Sequence, residues 1–172
     1  MPTLTQLQGT SCGEAVIVMA YNYAYPEDIL DEADVIAYAA DAGYYTEGTA
    51  PFASPANMVK ITRHYITDYS SGTVYNADQG LALLIRKLKN GEPVIIDVLT
   101  HLDDPTSNAH FVLVTGIEVD PNDASNITIY FNNPLTGLSE YAAWGGETGI
   151  WHAWDNNPDP GGSGWWLVIP PE

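Results

Sequence analysis

The stretch GEPVIIDVLTHLDDPTSNAHFVLVTGI, Gly91 to Ile117, decides the fold. Two runs rich in β-branched residues, Pro93 to Leu99 and His110 to Ile117, flank a turn segment running from Asp103 to Asn108. Runs of that length and composition read as neighbouring strands. A third run, Ile127 to Asn132, follows the turn Asp120-Pro121-Asn122-Asp123, and a fourth, Trp165 to Ile169, closes a glycine- and tryptophan-rich tail that begins at Pro134.

Upstream of Gly91 the hydrophobic period is helical. Pro26 to Ala42 places Ile29, Leu30, Ala33, Ile36, Ala37 and Ala40 on one side of one or two helices, with Gly43 as the stop. A loop from Tyr44 to Ala53 separates these from Ser54-Pro55, an N-cap followed by proline at the first helical position, which opens a helix to about Tyr65. His64 near its end suits the helix dipole. A short extended piece is expected around Ser70 to Gly72. Asp78 then caps a helix over Gln79 to Lys89, ended by Asn90-Gly91. Helices first and a sheet afterwards predict an α+β architecture in one domain, 1–172, with its helical part at about 1–90 and its sheet at about 91–172.

The N-terminal stretch QLQGTSCGEAVIVMAYNY, Gln6 to Tyr23, carries the chemistry. The chain's one cysteine, Cys12, precedes the apolar run Ala15 to Ala20, which places it in the first turn of a buried helix. Unpaired N–H groups and the positive end of the helix dipole there favour a thiolate. A cysteine nucleophile needs a base, a group orienting that base, and donors for the oxyanion. His110 opens the second strand and Asn133 closes the third, so hairpin geometry can bring them together, with Asn132 turned to the opposite face. Gln6, six residues before Cys12, can offer its side-chain amide beside the Cys12 N–H. Gln8 is the competing donor.

Composition narrows the partners. Twenty-two acidic against five basic residues give a net charge of −17, which repels nucleic acid and anionic lipid. No apolar run approaches the twenty residues of a membrane span. The opening residues MPTLTQ lack the basic region and apolar core of a signal peptide, so the chain reads as soluble, or as the mature form of a secreted protein. One cysteine and four dispersed histidines give no metal-ligand spacing, and no cofactor is expected. His101 in a turn reads as solvated, and Asp97 within an apolar strand as a hydrogen-bonding group. The tryptophans around His152 read as core packing, with a binding platform as the rival.

Taken in order, the motifs Q-x5-C-G-x-A from Gln6, GEPVIIDV, HFVLVTG and FNNP-x-x-G resemble the bacterial papain-like cysteine peptidases related to the bacteriocin-leader, double-glycine processing peptidases. The resemblance spans Gln6 to about Gly137. It implies a helical half carrying the cysteine, packed on an antiparallel sheet carrying histidine and its partner, and a peptide or protein substrate. It further implies Cys12 as nucleophile, His110 as general base and acid, Asn133 as the residue orienting His110, and Gln6 as oxyanion donor. The chain departs from many relatives in having Asn133 where they carry aspartate, which removes a charge that would stabilise an imidazolium. A thiol acyltransferase on the same fold, or a non-enzymatic domain binding through its tryptophans, are the rival functions.

Overall fold

Residues 3–47 and 53–171 are described by a computed structural model; positions 48–52 of the loop expected between Tyr44 and Ala53 lie outside the described residues. The elements run α1 (Cys12–Ala24), α2 (Glu32–Asp41), α3 (Pro55–Tyr65), β1 (Ser70–Thr73), α4 (Ala77–Lys89), β2 (Val94–Leu99), β3 (Ala109–Asp120), β4 (Asp123–Asn133), β5 (Leu138–Ala143), α5 (Ile150–Asp155) and β6 (Trp165–Val168). The strands form one sheet in the order β1-β6-β2-β3-β4-β5, each antiparallel to its neighbours.

Mixed helices and antiparallel sheet, helices leading, is the expected architecture, but helices cover both faces of the sheet. On one face α1, α2 and α3 pack over Ile95, Phe111, Leu113 and Leu167. On the other, α4 and α5 pack over Ile96, Val98, Val112, Val114 and Ile129. Covering both faces explains why β2 is buried at every position, reading as a continuous apolar run broken only by Asp97. One strand, β1, lies upstream of residue 90, at the extended piece expected around Ser70 to Gly72, and reaches the sheet by pairing with β6.

Local chemistry sets most boundaries. The Ser54 hydroxyl accepts the Asn57 N–H at 3.2 Å, and Pro55 follows at the first helical position. Ser54→Ala should lower the stability of the protein by about 1 kcal/mol in urea unfolding; an unchanged midpoint would mean that packing alone fixes the start of α3. The cap of α4 is Asn76, whose side chain accepts the Gln79 N–H at 2.9 Å, while Asp78 lies inside the first turn. Asparagine two residues earlier captures the orphan N–H before Asp78 can. Residues 26–31 are not helical, and β5 and α5 both arise in the tail where no element was expected. In that tail Trp154 is fully buried and its indole N–H donates to the Trp165 carbonyl at 2.8 Å, so core packing takes up much of the tryptophan cluster. His64 stacks on Tyr38 at 3.7 Å between ring centres.

Candidate active site

Cys12 opens α1 beneath a loop pinned at three points. The Gln6 N–H donates to the Pro134 carbonyl at 2.8 Å, tying the loop to the end of β4. A Glu32 carboxylate oxygen accepts the Leu7 N–H at 2.7 Å and lies 3.3 Å from the Ser11 hydroxyl. That hydroxyl also accepts the Gln8 N–H at 3.0 Å, so Ser11 stabilises the loop and does not cap the helix. Tyr45 donates its hydroxyl to Gln8 Oε1 at 2.7 Å, which commits Gln8 to the loop as well.

Cys12 is 8% exposed. Burial pushes its pKa up to about 12, assisted by the charges of Glu14 and Asp97, while the backbone N–H groups of Phe111 and Gly13 pull it down. Burial thus disfavours the thiolate that the helix start favours. The dipole of a helix end is worth about 1 kcal/mol, and desolvation of a fully buried charge costs several times that.

His110 and Asn133 do meet, with His110 Nε2 at 2.7 Å from Asn133 Oδ1. The amide orientation is fixed independently, since Oδ1 also accepts the Leu135 N–H at 3.0 Å and Nδ2 donates to Glu140 Oε1 at 3.3 Å. Nε2 must then carry the proton, which leaves the Nδ1 lone pair as the basic site of the neutral ring. Burial lowers the His110 pKa, the Asn133 hydrogen bond and the Glu140 charge raise it, and His101 lowers it. Asn132, on the opposite face, turns its amide to the Met19 sulfur at 4.0 Å.

Cys12 and His110 are not joined. Strand alternation puts His110 opposite in facing to Phe111, against which Cys12 packs. Cys12, Thr10, Asn108, Ala109, Phe111 and Asp159 line a cavity of about 260 Å³. His110, Asn133, His101, Glu140 and Tyr141 line a different one of about 280 Å³. Gln6 turns its amide into its own loop, donating from Nε2 to the Gln8 carbonyl at 2.9 Å, with Oε1 buried and unpartnered.

Three carboxylates lie near the thiol; Glu14 and Asp159 carried no clear signal in the sequence, and Asp97 stood out only as a polar residue in an apolar strand. Glu14 is fully buried with neither oxygen in a well-made hydrogen bond; burial, with the Glu32 charge, raises its pKa to about 7 against the pull of its own backbone N–H. Asp97 is fully buried and forms none of the expected well-made side-chain hydrogen bonds. Desolvation and the neighbouring Asp159 carboxyl hold its pKa well up, against the His110 backbone N–H. Asp159, brought in by the loop before β6, is itself raised by burial. Glu140 was missed for a different reason. The turn ending at Gly137, which has φ of +70°, joins β4 to a strand too polar to stand out, although LSEYAA after a glycine turn is a hairpin signal.

Among the described residues, no group of three His, Cys, Asp or Glu side chains is placed to hold a metal ion. Among the described residues, no helix is long and apolar enough to cross a membrane.

A sequence model of the Peptidase_C39-like family matches residues 1–156. In fold, the chain is similar to a crystal structure from Bacillus anthracis described as a C39-like peptidase. The TM-score is 0.64 at 12% identity, covering 97% of this chain and 92% of that one. No curated protein matches the sequence.

Proposed function

Because the chain belongs to the C39-like peptidase family, we propose that it is a cysteine peptidase in which Cys12 is the nucleophile, His110 the base, Asn133 its orienting partner and Gln6 an oxyanion donor. The observation that carries the assignment is the 2.7 Å His110–Asn133 bond at the ends of neighbouring strands, which leaves Nδ1 as the free basic nitrogen. Because sulfur and imidazole line separate cavities on opposite sides of β3, the proton transfer also requires a rearrangement at the start of β3 that turns the His110 ring toward the Gln6–Cys12 loop.

With a neutral thiol, the proton passes from sulfur to Nδ1 as the S–C bond to the peptide carbonyl forms. The Cys12 N–H, in a first helical turn without intrahelical acceptors, faces the developing oxyanion. Gln6 Nε2 carries two hydrogens, of which the Gln8 carbonyl engages one, and the other is the second donor. The imidazolium returns its proton to the departing amine, and water then releases the acyl group by the same base. The substrate is a peptide or protein.

A non-enzymatic domain on the same fold is the second reading, favoured by the buried, neutral thiol. Intact-mass analysis after exposure to short peptides bearing a vinyl sulfone separates the two. A peptidase takes one adduct at Cys12, formed at least about a hundredfold more slowly in His110→Ala. A wild-type protein that stays unlabelled would overturn the peptidase assignment.

A further inference from the structure

The His110–Asn133 pair does not stop at the amide. Asn133 Nδ2 donates to Glu140 Oε1 at 3.3 Å, and the Thr136 hydroxyl donates to the other oxygen of the same carboxylate. Thr136 is held within the hairpin, accepting the Leu138 N–H at 3.3 Å. Glu140 pairs in register with Phe131, and alternation puts it on the same face of the sheet as Asn133 and His110. Imidazole, amide, carboxylate and hydroxyl thus form one chain from the start of β3 to β5.

We propose that Glu140 is a positioning residue for His110, acting through Asn133 to fix which imidazole nitrogen is basic and to supply the negative charge that an asparagine lacks. This role rests on the Cys12–His110 chemistry proposed above.

The first half of the argument is steric and electronic. Asparagine oxygen and nitrogen occupy nearly equal volumes, so the amide can turn over at little packing cost. Turned over, Nδ2 would face Nε2, the proton would move to Nδ1, and the ring would present no base to a thiol. Two groups forbid this, because the Leu135 N–H requires an acceptor at one end and the Glu140 carboxylate requires a donor at the other. The second half is electrostatic. Burial disfavours the imidazolium, and Glu140 is the anion that offsets it. The titratable groups around the ring are Glu140 on β5, His101 and Asp103 in the β2–β3 loop, and Tyr141 beside Glu140; protonated His101 opposes Glu140.

Glu140→Gln keeps an acceptor for Asn133 and deletes the charge, whereas Glu140→Ala deletes both. The readouts are the ¹⁵N chemical shifts of His110 through a pH titration, assigned by their loss in His110→Gln, and the pH profile of kcat/KM. In Glu140→Gln the imidazole should titrate at lower pH than in the wild type, the tautomer should remain Nε2–H, and kcat should fall about tenfold with KM unchanged. In Glu140→Ala, Nδ1–H signal should appear and kcat should fall about a hundredfold. Thr136→Val, which releases only the outer oxygen of Glu140, should show a weaker version of the Ala effect. Unchanged His110 titration and tautomer in both Glu140 variants would overturn the proposal. Full hydrolysis by His110→Gln would instead remove His110 from catalysis, and the titration would still decide whether Glu140 holds the imidazole.

Discussion

Cys12→Ala is expected to eliminate peptide hydrolysis, lowering kcat/KM by about ten-thousand-fold or more, because every covalent step passes through sulfur. The substitution removes one small atom from a site where the thiol meets the Phe111 N–H, so circular dichroism and the thermal midpoint should stay close to those of the wild type. Release of fragments from a mixed peptide pool, followed by mass spectrometry, is the direct assay. Hydrolysis that survives in Cys12→Ala would remove the nucleophile from the proposed mechanism and leave the fold without a cysteine-dependent activity. Adding hydroxylamine to the wild-type reaction separates hydrolysis from acyl transfer, since a transferase would divert most product to the hydroxamate.

The second large effect is on stability against pH. Glu14 has a carboxyl pKa raised from 4.5 to about 7 in the folded chain. Its contribution to the native state is complete below pH about 4.5 and is lost as pH climbs through about 7, a change of about 3 kcal/mol. Asp97, Glu32 and Asp159 are raised by burial and act in the same direction. His110 opposes them at the acid end, because its lowered pKa withdraws stability as pH falls below 6.5. The net charge of −17 adds repulsion that acid relieves. Thermal unfolding followed from pH 5 to pH 8 should therefore show a falling midpoint. Glu14→Met fills the site with an apolar chain of similar volume, so it should raise the midpoint at pH 8 and flatten the curve. A variant less stable than the wild type at pH 8, with the slope unchanged, would show that the Glu14 carboxylate has a compensating partner.

Covalent pattern and local capping made much of this legible. The run PVIIDVL could be nothing but a central strand, since its apolar side chains have no solvent face to spare. Ser54-Pro55 announced α3 because an oxygen before proline satisfies an orphan N–H at a fixed distance along the chain. His110 and Asn133 were foreseeable as a pair because two strands joined by a turn must bring their opposite ends together. The polar strand β5 and six-residue α5 were not, since neither has enough periodic apolar character to outweigh its turn residues.

The sequence by itself determined the order of elements, the cysteine at the start of a buried helix, and the meeting of His110 with Asn133, all consequences of short-range spacing. The tertiary structure decided which face of the sheet each side chain occupies and how much water surrounds it. Those two quantities put Cys12 and His110 in separate cavities and keep the thiol neutral despite its helix terminus. They also bring Glu140 to Asn133 and Asp159 to Asp97. Desolvation depends on everything packed around a group, and strand facing on a register set across the sheet, so neither is written in the residues nearby.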